Sequence, residues 1–69
     1  MNMITYYEQK SGNPVFYSNN GVDYYDFQGN PYAYVRGENW YLYSNGKWLG
    51  WQQDKWFYDT NGNPLYYST

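Results

Sequence analysis

The stretch Gly12-Asn13-Pro14-Val15-Phe16-Tyr17 decides the fold of this 69-residue chain, because related stretches recur along it. The same order of glycine, asparagine, proline and closing tyrosine appears at residues 29–34 and 62–67, and a diverged copy stands at residues 46–51. The glycines that open the four copies follow one another at intervals of 17, 17 and 16 residues: Gly12, Gly29, Gly46 and Gly62. A regular period of this kind indicates a fold built from repeated units.

Each repeat is typical of a strand, a turn and a second strand. A short, largely apolar run ending in tyrosine precedes each glycine, at residues 4–7, 22–25, 40–43 and 55–58. The glycine is predicted to have positive φ, which costs it no Cβ clash. Proline opens the second strand in three copies, where its missing N–H is tolerated: Pro14, Pro31 and Pro64. Further turns at residues 19–21, 36–39 and 52–54 join the copies, so the sequence predicts eight short strands.

Four similar hairpins in one open sheet would leave two edges free to pair with other chains. Closing the sheet on itself removes both edges. We therefore predict an all-β fold in which four β-hairpin repeats close into a short, shallow, pseudo-fourfold antiparallel barrel, with a linear stack of hairpins as the alternative. The length allows a single domain spanning residues 1–69, with repeats at about 3–19, 20–36, 37–53 and 54–69.

Aromatic residues dominate the composition at 28%, with 12 Tyr, 4 Trp and 3 Phe. Because aliphatic side chains are few, the core must be largely aromatic. So many rings cannot all be buried in so small a domain, and an exposed aromatic surface usually marks binding or self-association. The composition therefore favours some binding surface and allows self-association.

The remaining composition excludes several classes of function. The chain has neither histidine nor cysteine, so no metal site of the zinc type and no disulfide is expected, and nothing indicates a cofactor. A net charge of −2 argues against nucleic-acid binding, which depends on Lys and Arg neutralising phosphates. No apolar run approaches the roughly 20 residues of a membrane helix, and no signal peptide is visible. We expect a soluble protein, and the sequence leaves its compartment open, with the cytoplasm favoured.

Two rings of side chains are candidates for a central channel, because equivalent positions meet around the axis of a closed fourfold barrel. Alternation along the second strands places Tyr17, Tyr34, Trp51 and Tyr67 on one face, together with Val15, Tyr32, Leu49 and Leu65. The opposite face carries Phe16, Ala33, Gly50 and Tyr66, which include two small residues. On the first strands, the face predicted to be buried carries Ile4 and Tyr6, Val22 and Tyr24, Trp40 and Leu42, and Lys55 and Phe57. The sequence leaves open which of the two rings lines the channel.

Three carboxylates occupy one place in the repeat, directly after the tyrosine that ends the first strand: Glu8, Asp26 and Asp59. Three acids on one rim could bind a cation or form an acid–base pair. We favour the simpler interpretation that each carboxylate caps its own turn by accepting backbone N–H groups. Ser44 is predicted to fill the same place in the remaining copy. With no histidine or cysteine, and with these acids assigned to turns, we expect no enzyme and no catalytic residues.

The chain resembles the bacterial 4-fold β-flower proteins over nearly its whole length. The resemblance rests on Leu49-Gly50-Trp51, on Trp56-Phe57-Tyr58-Asp59 and on the recurring Gly-Asn-Pro units. It implies a shallow symmetric barrel whose hairpins surround an apolar channel, and it implies no catalytic residues. The chain departs from the family pattern at Phe16 and Tyr66, where smaller residues are expected. The likeness of that fold to lipid-binding tubby-type domains suggests an apolar ligand.

A second resemblance covers residues 40–51, which are similar to the choline- and glucan-binding repeats of Gram-positive surface proteins. Those repeats combine Gly-Trp with an aromatic run and a turn glycine, but this chain has a single Gly-Trp, at Gly50-Trp51.

Three hypotheses on function follow from these observations. The leading one is a non-enzymatic binding module whose aromatic channel holds a small apolar or amphipathic ligand, such as a lipid or polyether chain. The second is a choline- or glycan-binding module of the cell surface, because aromatic faces bind both ligand classes. The third is a structural, self-assembling domain without a ligand.

Overall fold

The computed structural model describes residues 3–69, and all of the strands and helices assigned within them are β-strands, with no helix. Each sequence repeat contributes two consecutive strands. The eight strands are β1 (Ile4–Glu8), β2 (Pro14–Ser18), β3 (Asp23–Tyr25), β4 (Pro31–Arg36), β5 (Asn39–Leu42), β6 (Trp48–Gln53), β7 (Trp56–Asp59) and β8 (Pro64–Ser68). No helix in the part of the chain described here is long and apolar enough to cross a membrane.

The strands form a closed barrel in sequence order, and all neighbours are antiparallel. β8 returns to β1, where Tyr67 pairs with Tyr7 and Ser68 pairs with Tyr6. The predicted all-β closed barrel is therefore confirmed. The strands have three to six residues, and the molecule measures 30 × 27 × 20 Å, so the barrel is shallow.

The hairpin turns share one hydrogen-bond frame. The turn glycines lie at φ of 75°, 90°, 73° and 86°: Gly12, Gly29, Gly46 and Gly62. Each glycine donates its N–H to the carbonyl of a residue at the end of its hairpin's first strand or directly after it. The acceptors are Glu8, Asp26, Leu42 and Asp59, respectively. The second strand then begins with Pro14, Pro31 or Pro64, and with Trp48 in the third hairpin.

One residue is bulged in every hairpin. In the first, Tyr6 pairs with Phe16 and Tyr7 pairs with Pro14, which leaves Val15 as the extra residue. The same register shift leaves Tyr32, Leu49 and Leu65 unpaired in the other hairpins. A bulge bends its strand and re-aims the side chain.

The bulges correct the predicted faces of the second strands. Alternation placed Val15, Tyr32 and Leu49 on the same face as Tyr17, Tyr34 and Trp51, but this is wrong, since the three bulged residues pack against the core. Their counterpart Leu65 is different, because its side chain remains 37% exposed.

The core consists mainly of aromatic rings. The first strands contribute Tyr6, Tyr24, Trp40 and Phe57, and the second strands contribute Phe16 and Ala33. Trp40 is fully buried, whereas Leu42, which the sequence grouped with it, is only half-buried. Two other residues that were predicted on the buried face, Val22 and Lys55, are exposed at the barrel end.

Small residues on two strands let large rings meet across them. Tyr24 on β3 and Trp40 on β5 stack with centroids 4.3 Å apart, and the strand between them carries Ala33. Trp40 and Phe57 on β7 meet at 4.8 Å, and the strand between them carries Gly50. The small side chains at these two positions therefore make room for the Trp40 indole.

Candidate functional site

The structure separates the two candidate rings. Phe16, Ala33 and Gly50 are buried, and the fourth member of that ring, Tyr66, is half-buried and packs against the core. The other ring lies on the outer face of the barrel, where all four members are half-buried: Tyr17, Tyr34, Trp51 and Tyr67. The interior of the barrel is therefore bounded by the ring that contains Tyr66.

The Trp40 indole occupies the interior at the level of this ring. Its centroid lies 5.2 Å from that of Tyr6 and 6.2 Å from that of Phe16, in addition to the contacts with Tyr24 and Phe57. Its Nε1 donates to Oε1 of Gln52 at 2.8 Å, so the one polar atom of the buried ring has a partner. Side chains thus fill the barrel interior around Trp40.

A surface pocket of about 160 Å³ lies at the junction between β1 and β8. Its apolar wall is formed by Pro64, Leu65 and Tyr66, and its polar wall by Glu8, Gln9 and Lys10. The backbone N–H of Gln9 donates to the carbonyl of Leu65 at 3.0 Å and ties the two walls together. Three of the bulged residues pack against the core, whereas Leu65 is exposed, and the pocket lies beside it.

Tyr66 connects this pocket to the interior. Its ring meets Phe16 edge-on at 5.2 Å and Phe57 at 5.4 Å. Partial burial raises the pKa of Tyr66, and the neighbouring Tyr32 and the Glu8 carboxylate add to the rise. The phenol is therefore neutral at ordinary pH and can donate a hydrogen bond.

Four clusters of three aromatic rings cover the outside of the barrel. Each is built on a stacked pair across neighbouring strands, with centroids 5.5 to 5.7 Å apart, and a third ring leans on the pair. We call them the outer aromatic clusters: Tyr17, Tyr25 and Phe27; Tyr34, Tyr41 and Tyr43; Trp48, Trp51 and Tyr58; Tyr7, Tyr67 and Trp56. The third ring is exposed in three of them, at Phe27, Tyr43 and Trp48.

A carboxylate stands beside one outer aromatic cluster. Asp23 accepts a hydrogen bond from the Tyr43 hydroxyl through Oδ1, and one from Nδ2 of Asn20 at 3.2 Å through Oδ2. These two hydrogen bonds, that of Tyr43 first, lower the pKa of the Asp23 carboxyl. The same contact raises the pKa of Tyr43 to about 12.

Two of the three turn carboxylates, Asp26 and Asp59, cap their own turns as the sequence predicted. Oδ1 of Asp26 accepts the N–H groups of Gln28 and Asn30 at 2.9 and 3.0 Å. Oδ1 of Asp59 accepts those of Asn61 and Asn63, both at 2.9 Å. These backbone hydrogen bonds hold the pKa of both carboxyls below the ordinary value.

The other two turns differ in their side chains. The Glu8 carboxylate accepts the Ser11 hydroxyl at 2.6 Å instead of backbone N–H groups, so the predicted backbone cap is wrong for Glu8. In the third hairpin the equivalent place belongs to Leu42, whose N–H donates to the carbonyl of Lys47, so the prediction of Ser44 there is wrong. Within residues 3–69, no three acidic side chains come close enough together to hold a metal ion.

Sequence reasoning missed the pocket at the junction of β1 and β8 and the position of Asp23. The pocket depends on a bulge that period-two alternation does not reveal. Asp23 does carry a signal, because it is the acidic residue two places before an outward tyrosine, where the other hairpins have Thr5, Asn39 and Trp56.

Comparison with known proteins gives one match. The sequence profile of a family described as "4-fold beta flower protein" matches residues 4–69. No curated protein sequence and no solved structure matches the chain.

Proposed function

The chain belongs to the 4-fold beta flower family, and on that premise we propose that it is a non-enzymatic binding module for a small apolar or amphipathic ligand. The ligand binds in the seam pocket, which we define by Glu8, Gln9, Lys10 and residues 64–66. A single observation carries the proposal: this pocket is where a member of the interior ring, Tyr66, meets the surface.

The chemistry of the pocket suits a short ligand with one polar end. Pro64, Leu65 and the Tyr66 ring offer apolar contact, and ligand pockets typically combine such walls with a few polar groups. The Lys10 ammonium and the neutral Tyr66 hydroxyl can donate to a hydroxyl or ether oxygen, and the Glu8 carboxylate can accept from a hydroxyl. A volume of about 160 Å³ limits the bound part to a few heavy atoms, so a longer chain would extend along the surface.

The positions of Phe16, Ala33, Gly50 and Tyr66 favour a binding site at the surface over one on the barrel axis. Ala33 and Gly50 make room for Trp40, so binding along the axis would need displacement of a buried indole. Tyr66 can be reached without such a change. The ligand therefore contacts Tyr66, the one member of the interior ring that lines the seam pocket, and the rest of the ligand lies in that pocket.

Amide NMR tests this proposal. The protein is titrated separately with a short polyether, 1-hexanol and a mononucleotide. We expect saturable shifts of the amides of residues 8–10, 65 and 66 with the polyether or the alcohol, and none with the nucleotide. Leu65→Ser should abolish them, whereas Val22→Ser, which also removes an exposed aliphatic side chain, should not. The absence of shifts at these residues with both the polyether and the alcohol would refute the proposal.

One outer aromatic cluster supports a second candidate, glycan binding. Trp48 and Trp51 lie nearly parallel, with an interplanar angle of 17° and centroids 6.3 Å apart, and Trp48 is 44% exposed. Sugar rings stack on such faces. A titration with a glucan oligosaccharide should then shift the indole signals of Trp48 and Trp51 and leave Trp40 unchanged; unchanged indole signals throughout would exclude it.

Self-assembly without a ligand is the remaining candidate, and it draws on the same exposed rings. A concentration-dependent mass in solution, together with no response to any probe, would favour it over both binding hypotheses.

The absence of histidine and cysteine and the engagement of Asp26 and Asp59 in turns support the non-enzymatic part of the proposal. A bacterial cytoplasmic location is likewise part of the proposal.

A further inference from the structure

The outer face of strands β3, β4 and β5 brings two tyrosine rings and one carboxylate together. Asp23 pairs with Tyr34 in the register of β3 and β4. The Tyr34 ring meets the Tyr43 ring at 5.5 Å with an interplanar angle of 72°, so the two rings form the walls of a corner. The Tyr43 hydroxyl donates to Asp23, which fixes the carboxylate beside that corner.

The walls of the corner are held in place from several sides. Tyr41 stacks on Tyr34 with centroids 5.5 Å apart, and the N–H of Tyr43 donates to the carbonyl of Tyr32 at 3.0 Å. Asn20 binds the second carboxylate oxygen of Asp23 and accepts the Asp23 N–H at 2.9 Å. The corner is therefore preorganised, which lowers the entropy lost when a ligand binds.

The carboxylate keeps its charge available. Both side chains that hydrogen-bond to it, Tyr43 and Asn20, are neutral, so neither cancels its negative charge. A carboxylate that is fixed by neutral donors attracts a cation without a competing internal partner.

We propose that the corner formed by Asp23, Tyr34 and Tyr43 binds an organic cation with a quaternary ammonium group. The faces of tyrosine rings attract such cations within about 6 Å of their centroids, and weak hydration lets the cation leave water. A metal ion would need several oxygen ligands, which one carboxylate does not supply. This site shares no residue with the seam pocket, so either can fail without the other.

The other hairpins provide an internal comparison. Thr5, Asn39 and Trp56 occupy the place of Asp23, and none of them carries a charge. The four outer aromatic clusters are otherwise alike in having a stacked pair and a third ring. If the charge matters, a cation binds at one cluster only.

The experiment compares choline with its neutral isostere 3,3-dimethylbutan-1-ol in amide NMR titrations of the whole chain. We expect saturable, millimolar binding of choline with shifts confined to residues 23, 34, 41 and 43. The neutral alcohol should bind at least roughly tenfold more weakly. Equal affinity for both probes, or equal shifts at all four clusters, would overturn the proposal, as would no shift with choline.

Two variants and a control separate the site from the fold. Asp23→Asn keeps an oxygen that can accept the Tyr43 hydroxyl, so the fold persists, and it should weaken choline binding roughly tenfold. Tyr34→Leu should weaken it similarly by removing one wall. Glu38→Gln removes an exposed carboxylate elsewhere and should leave the affinity unchanged; a loss equal to that of Asp23→Asn would show that only net charge matters.

Discussion

At the level of single residues, the core depends on where side chains are absent. Gly50 has φ of 150°, and a Cβ placed there would lie 2.0 Å from the Tyr58 carbonyl oxygen and 3.0 Å from the Phe57 ring. The absence of a side chain therefore lets β7 approach closely and lets Trp40 contact Phe57. Ala33 and Gly50, the two small members of a ring that the sequence offered as a channel lining, make room for the Trp40 indole.

Gly50→Ala should consequently be among the most damaging small substitutions. We expect a loss of about 3 kcal/mol of unfolding free energy, because the new methyl group meets backbone atoms that cannot yield without shifting β7. Urea denaturation followed by tryptophan fluorescence measures it. Gly37→Ala is the control, since its Cβ would meet nothing within 4 Å and only its φ of 63° costs energy, about 1 kcal/mol. Equal losses in the two variants would contradict the steric argument.

The buried indole gives a second expectation at this level. Gln52→Leu removes the acceptor of the Trp40 Nε1–H and leaves a buried donor without a partner. Such a donor costs about 1–3 kcal/mol. Trp40→Phe combined with Gln52→Leu should recover part of that cost relative to the sum of the single variants, because the donor is then gone. A double-mutant cycle of denaturation free energies would show this coupling, and strict additivity would refute it.

At the level of the strand and turn, carboxylates link stability to pH. The pKa values of Asp23, Asp26 and Asp59 are lowered in the folded protein. A carboxyl with a lowered folded pKa stabilises the fold fully above its unfolded pKa, and this contribution is lost as pH falls through the folded value. We therefore expect the urea midpoint to fall as the pH drops below the ordinary carboxyl value of about 3.8.

The variant that tests this is Asp59→Asn, which removes the titrating charge at one turn cap. Its midpoint should be lower than that of the parent protein at neutral pH, and the gap should narrow in acid, where the parent carboxyl is protonated. Ser44→Ala is the matched change at a turn position that the hydrogen-bond frame does not use, and it should alter neither the midpoint nor its pH dependence. A constant gap at all pH values would contradict the assignment.

The elements also show how far sequence reasoning reaches. The turn at Gly12 and the strand start at Pro14 could be predicted, because a positive φ and a missing N–H restrict which residue fits. The repeat of these two signals predicted eight strands and their closure. Val15 was not readable, because a bulge leaves the composition of a strand unchanged while reversing its alternation. In the third hairpin, Tyr41 and Tyr43 both stand before the glycine, and only the pairing of Tyr41 with Trp48 shows that Tyr41 is the last tyrosine within the strand.

For the whole molecule, closure makes the position of the chain ends secondary. Ser68, the last residue of β8, is the Cα partner of Tyr6, two residues after β1 begins, so the start of β1 and the end of β8 lie close together. A circular permutant with the original ends joined by a short Gly/Ser linker and new ends between Gly37 and Glu38 should fold, because that cut falls in an exposed turn. Near-UV circular dichroism, which reports the packed rings, should match the parent spectrum.

The comparison permutant has its new ends between Trp40 and Tyr41, inside β5. It interrupts pairing with both neighbouring strands beside the central indole, and it should lose the near-UV signal. If both permutants fold equally well, the barrel does not depend on an intact β5.

The ring of hairpins has a consequence for how the native state opens. A linear array of repeats frays from its terminal units, each of which has one neighbour. Here every hairpin has two neighbours, so releasing any one of them breaks two interfaces at once. Sub-global openings are thereby suppressed, and the ladder amides of all four hairpins should exchange with solvent deuterium through one common, global event.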